Sequence, residues 1–321
     1  MRKFCFFFLL SIWVWAVQTV NPVHQIVVNG FAKDMVLTPA DTLLIATDNG
    51  HIEEYTISNY EKIKEISIPK VKDFMGDMMP ARILSTDRMG DTYLLLSDSG
   101  KGGYSNLFVE RQGKLTQILS PNDKEAIIKA RFIDSSHILL GYLGDEVALL
   151  NIDSKKERYH VQLGESKFSD FALNEKKTEA VFACESGILS VIDVQTGKII
   201  KQLKGQNLDN VYRVDFKNGM VSAAGKDRRG ALYNVQTGEG SYIEGSFFIY
   251  ATALSPSARK VAFAMDENND ISIYNTLTKS KLAVLKGQKS TLNVIVFKDE
   301  NKLYSASDDN TVMVWDLGKQ N

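Results

Sequence analysis

Along most of the chain apolar and polar residues change places at every second position, in short runs broken by Gly, Asp and Asn. Lys302 to Ser307 followed by Thr311 to Trp315 is a clear instance, with Asp308-Asp309-Asn310 between the two runs. Alternation with period two is the signature of a strand, and Asp, Asn and Gly tolerate the positive φ angles of tight hairpins. Matching turns stand at Asp48-Asn49-Gly50, Lys226 to Gly230 and Asp266 to Asp270. The pattern predicts an all-β chain built from hairpins.

The hairpins recur as one unit. Each closes on an apolar residue followed by an acid or amide: Leu150-Asn151, Ile192-Asp193, Tyr233-Asn234, Tyr274-Asn275 and Trp315-Asp316, spaced by 42, 41, 41 and 41 residues. Val109-Glu110 lies 41 residues before the first of these and Tyr55-Thr56 a further 54, which makes seven units, the second with about a dozen extra residues. A period of roughly 40–45 residues carrying four strands is that of a propeller blade. One blade alone leaves both its faces wet, so blades must stack around an axis. The last unit ends after its third strand at Trp315-Asp316-Leu317, whereas Val23 to Val28 is a strand with no unit of its own. The expectation is a seven-bladed β-propeller over residues 23–317, its ring closed by the N-terminal strand that completes the last blade.

The segment Leu303-Tyr-Ser-Ala-Ser-Asp-Asp-Asn-Thr-Val-Met-Val-Trp-Asp316 resembles a WD40 repeat almost residue for residue, and Ile192-Asp193-Val-Gln-Thr-Gly197 resembles the exit from one. The resemblance covers residues 23–317, strongest in the last unit. Members of that family often begin a repeat with Gly-His, the histidine bonded to a Ser/Thr, an Asp and the Trp; here the equivalents are Gly205-Gln206 and Gly287-Gln288, and only Trp315 stands at the tryptophan position. The resemblance therefore implies an altered buried polar network.

The first 16 residues interrupt the pattern. Arg2 and Lys3 precede an uncharged apolar stretch from Phe4 to Val14, and Val14 and Ala16 offer small residues before polarity returns at Gln18. This reads as a signal peptide cut after Ala16, with retention as a membrane anchor the alternative; its apolar core is short for a span of roughly 20 residues. Residues 17–22 read as a linker and 318–321 as a tail. Export fits the cysteines, since Cys5 lies in the leader and Cys184 is left without a partner for a bridge. Without Arg2 and Lys3 the chain carries 36 basic against 39 acidic residues, a balance that gives no field for collecting phosphate backbones, so no nucleic-acid partner is expected.

Chemistry is sparse. On the blade template His24 falls in the closing strand, His51 and His137 in turns on opposite faces and His160 in an outermost strand, too scattered for a metal centre. Asp266-Glu-Asn268-Asn-Asp270 imitates the start of a calcium loop but lacks the glycine and distant glutamate, which leaves a plain turn. Ser97 to Ser105 is glycine-rich without phosphate-loop spacing. Met75, Met78, Met79 and Met89 lie in or near the insertion of unit two, where thioethers suit Cu(I) but suit packing or a partner better. Cys184 has Glu185 beside it and no neighbouring base. No catalytic residue, cofactor or metal is expected.

What remains is surface. In a propeller the loops between blades and those between second and third strands share one face. On that template the face displays Met78, Met79, Phe168, Asp209, Tyr212, Arg228, Arg229, Phe247 and Tyr250, residue types favoured at protein interfaces, although the aromatics suit the seams between blades equally well. The expected function is an exported, non-catalytic platform in the periplasm of a Gram-negative bacterium, docking periplasmic or membrane-associated proteins. A single-domain exported propeller of this size also resembles the accessory propellers encoded with some bacterial periplasmic nitrate reductases, which implies components of that reductase as partners. Propeller enzymes of lactonase, quinone or haem type and scaffolds of outer-membrane assembly are the alternatives.

Overall fold

A computed structural model describes residues 17–319; the expected leader (1–16) lies outside the described residues. The fold is a seven-bladed β-propeller, with blades at 32–67, 83–119, 127–162, 168–203, 211–244, 251–285 and 292–316. Within each repeat the strands pair antiparallel and run outward in chain order, and we letter them a (innermost) to d (outermost). Turns between b and c and connections from d to the next a gather on one face, here the loop face. Turns a–b and c–d gather on the other, here the turn face.

Blade seven supplies only three strands from its own repeat, and His24–Val27 fills the place of its fourth. That strand runs antiparallel to Thr311–Asp316, with His24 opposite Val314 and Val27 opposite Thr311. The closure expected from the sequence is therefore present. Residues 17–22 are not a linker, however. Gln18–Val20 adds a fifth strand to blade six, parallel to Lys281–Leu285, and Val20 is buried among residues of blades six and seven. The chain thus stitches two neighbouring blades before its first own blade begins.

The core is divided among the seams. Seven apolar clusters lie one at each junction of neighbouring blades, and every cluster draws side chains from both partners. Sheets covered on both faces leave little room for polar alternation, so strand b of blade one, Thr42–Thr47, is buried throughout. Strand d of that blade, Lys62–Ser67, keeps the alternation because one side meets solvent. Small residues let sheets approach: a Cβ on Gly141 would lie 2.6 Å from the Phe168 ring of the next blade.

Blade seven carries the polar network that its repeat implied in altered form. Trp315 Nε1 donates to Ser305 Oγ (2.8 Å), Ser305 donates to Gln288 Oε1 (2.7 Å), and Gln288 Nε2 donates to Ser307 Oγ (2.6 Å). Gln288 thus fills the histidine's position with one acceptor and one donor, buried and satisfied at both ends. In blade five the network shifts by one residue: Asn207, next to Gln206, donates to Asp227 and to the Arg229 carbonyl. Replacing Gln288 with Ala strands two buried hydroxyls and should cost about 1–3 kcal/mol in urea unfolding. Gln288→His, which keeps an acceptor and a donor, should lose less.

Candidate docking face and central channel

The loop face keeps some of the residues assigned to it and loses one. Tyr212 and Tyr250 stack at 5.3 Å between blades five and six, and Phe247 and Phe248 join them with centroids 5.0 Å apart. Phe247 and Phe248 reach Tyr250 at 6.3 Å each, so four part-exposed rings form one patch. Asp209 faces Lys226 at its margin, and Arg228 is exposed beside it. Arg229 is drawn outward: its guanidinium lies over Tyr242 at 4.4 Å and donates to the Gln206 carbonyl. Phe168 is a correction. It is 2% exposed and packs with Phe171 and Phe182 in the seam of blades three and four, filling the space that Gly141 leaves open.

Met78 and Met79 are exposed but stand apart from the aromatic patch. They lie in a small hairpin, Val71–Lys72 against Met78–Met79, between blades one and two, across the ring from blades five and six. Phe74 at its tip is 93% exposed and Met75 72%. Met89 ends strand a of blade two on the turn face, so the methionines do not gather into one thioether site. The glycine-rich loop seats this hairpin: Gly100, at φ +66°, passes so close beneath the Lys72 carbonyl that a Cβ would collide with it.

The other candidates resolve into local structure. Asp266 Oδ1 accepts the Asn268 and Asp270 amides, both at 3.0 Å, and so caps its own turn. His51 bonds Ser67, His137 bonds Asp134, His160 bonds Glu157, and His24 stacks on Tyr60 at 4.5 Å. Cys184 is buried against Ser186. Among the described residues no three His, Cys, Asp or Glu side chains converge as metal ligands, and no helix is long and apolar enough to cross a membrane. No family model matches the chain, and no curated protein is significantly similar to it.

The site that sequence reasoning missed is the channel. In six blades strand a skips one residue against strand b, at Lys33, Leu84, Ile128, Ser169, Tyr212 and Asn293. An extra residue of this kind re-aims the side chains that follow it. The next positions include Asp34, Lys129, Asp170 and Arg213, all of which line a cavity on the axis. Lys129 Nζ meets Asp170 at 2.6 Å and Arg213 reaches the same carboxylate at 3.4 Å. Arg131 meets Asp34 at 2.9 Å across the width of blade two, and Arg213 Nε donates to the Asn293 carbonyl across blade six. Charged braces therefore tie blades one, three, four, five and seven through the axis.

The carboxylates also act along the ring. Asp34, Asp87, Asp170 and Asp215 each accept a backbone amide of the following blade, from Thr86, Phe132, Val214 and Leu254 respectively. Burial alone would push the Asp34 carboxyl up, but Arg131 and Lys129 outweigh it and hold it below the ordinary aspartate value. Removing one partner from such a set leaves the other charge buried and bare. Asp170→Asn should therefore cost about 3–5 kcal/mol in chemical unfolding, and adding Lys129→Met should restore part of the loss.

One loop-face carboxylate lacks any such partner. Asp145, in the b–c turn of blade three, is 4% exposed and presses on Gly164, and burial raises its pKa from 3.8 to about 6. The folded protein then binds this proton more tightly than the unfolded chain. Its contribution to stability falls as pH rises from the ordinary value to about 6, and the penalty is complete above that. Asp145→Asn should raise the melting temperature at pH above 7 and leave it nearly unchanged near pH 4, as read by calorimetry.

Proposed function

We propose that this chain is an exported, non-catalytic docking propeller that holds a partner protein on its loop face, centred on Tyr212, Phe247, Phe248 and Tyr250. The observation that carries this reading is the ring patch itself: four part-exposed aromatic side chains in mutual contact, Tyr212 stacked on Tyr250 and the two Phe rings tilted or edge-on beside them, when the seams next to them bury comparable rings. Aromatic side chains flanked by arginine are what interface centres favour, because they offer large rigid area at small entropic cost. Arg228 and the Asp209–Lys226 pair supply a polar rim. Export rests on the leader-like sequence 1–16, with the partner then periplasmic or membrane-associated. The narrower reading, an accessory factor of a periplasmic nitrate reductase, rests on size and architecture alone.

A photo-reactive residue placed at Phe248 in cells should cross-link one periplasmic or membrane-associated partner, and the same residue at Lys114 on the outer rim should not. Phe247→Ser with Tyr250→Ser should abolish the product while leaving the melting temperature close to that of the parent. Equal labelling from both positions, or a product indifferent to the double substitution, would overturn docking. A partner unrelated to the reductase would retain docking and discard the narrower reading.

A further inference from the structure

We propose that the central channel binds a small apolar monocarboxylate, its carboxylate at Arg213 and Lys129 and its hydrocarbon against blades six, seven and one. The channel encloses about 350 Å³, near the lower bound of small-molecule sites at roughly 300–1,000 Å³. Its wall is divided by chemistry. Blades six and seven contribute Ala251, Val294 and Val296 and no charged side chain; blade one contributes Val36 and also the Asp34 carboxylate. Blades three to five contribute Lys129, Arg131 and Arg213, and blade two contributes Arg88.

The charges do not cancel. Lys129, Arg131 and Arg213 meet Asp34 and Asp170, in a lining that carries six Lys and Arg side chains against five Asp and Glu. Asp87 and Asp215 are among those carboxylates, and both oxygens of each accept backbone amides, from Arg88 and Phe132 for the first and from Phe216 and Leu254 for the second. Arg213 uses Nε on Asn293 and Nη1 on Asp170. Its Nη2 has no protein partner among the described residues, and its side chain is 30% exposed within the cavity lining. Burial is the chief cause that lowers the Lys129 pKa; Arg131 and Arg213 also lower it, while Asp170 and Asp34 raise it. An anion placed beside Arg213 and Lys129 is attracted by both, and a cation there is repelled by both.

Access is from the turn face. The lining continues past Leu37, Asn174 and Lys217 at the turn-face ends of the inner strands, and it includes neither Tyr212 nor Tyr250. The site therefore does not rest on the docking reading, and a partner on the loop face leaves its mouth open.

Titration calorimetry of the purified protein with hexanoate, hexan-1-ol, hexylamine and inorganic phosphate tests each element. Hexanoate should bind; hexanol should bind ~10-fold or more weakly for want of a charge-assisted hydrogen bond; hexylammonium and phosphate should give no saturable heat. Arg213→Gln should weaken hexanoate ~10-fold or more and leave hexanol unchanged, a difference that mere loosening of the fold would not produce. Lys114→Gln on the rim should change neither. Because Arg213 also braces blades five and seven, the unmodified protein gives a second readout: nuclear Overhauser contacts from hexanoate to the Val294 and Val296 methyls. Absence of hexanoate binding at millimolar concentration, equal binding of hexylammonium or phosphate, or contacts elsewhere would overturn the proposal.

Discussion

Every blade depends on a neighbour for both of its faces. The apolar clusters lie at the seams, none within a single blade, so a sheet removed from the ring exposes two surfaces rather than one. An open arc of blades would end on two bare faces, and each buried Leu, Ile or Phe side chain wetted there costs about 1.5–3 kcal/mol. Closure is thus the condition on which the stability of all the other seams rests. It is made by His24–Val27 on blade seven, which places Ile26 and Val28 in the seam with blade one. Gln18–Val20 repeats the device one blade earlier, where Val20 shares a cluster with Trp315. The two N-terminal strands thus contribute to the seams on either side of blade seven.

Closure by stacking also frees the inner strands. Because apolar burial takes place between blades, side chains aimed at the axis have no role in covering a sheet and can carry charge. Lys129, Arg131, Asp170 and Arg213 use that freedom and return it as braces: Asp170 ties Lys129 and Arg213 of the blades on either side of it, while Arg131–Asp34 and Arg213–Asn293 span non-adjacent blades. Such pairs add little over an apolar substitute in a buried setting, but they are costly to break singly. Their contribution is to fix which blade faces which across the axis, a constraint that seams acting pairwise do not impose.

The parts of this arrangement that repeat were legible in the sequence. Intervals of 41 and 42 residues set the blade count, and the strand left over at Val23 to Val28 set the manner of closure. What failed did so for stated physical reasons. Gln18–Val20 is a three-residue strand paired parallel, too short to show a period, and it follows an apolar leader that masks its start. Phe168 opens an inner strand, where position alone does not say whether a ring faces solvent or the next sheet; the glycine that receives it, Gly141, is 27 residues away in another blade. The channel charges sit one or two to a short strand, as Lys129 and Arg131 do in Ile127–Phe132, where alternation marks them as facing away from the core. That is correct, but the sequence does not show that seven such faces meet. Gln288 was the opposite case, since its place in the repeat named the network it joins.

The two candidate surfaces are joined at one point in the chain. Tyr212 belongs to the aromatic patch and Arg213 to the channel, and they are consecutive residues. In a regular strand consecutive side chains point to opposite faces of the sheet. Both faces of blade five are seams, so a regular strand here would drive an arginine or a tyrosine hydroxyl into an apolar cluster. The residue skipped at Tyr212 removes that conflict: Val211 pairs with Gly225 and Arg213 with Ala224, which lets the ring rise to the loop face while the guanidinium turns to the axis. The same skip in five other blades fixes where the channel begins beneath the loop face. The inner-strand bulge, and not the blade repeat that contains it, is the feature that separates the exposed aromatic patch from the charged channel.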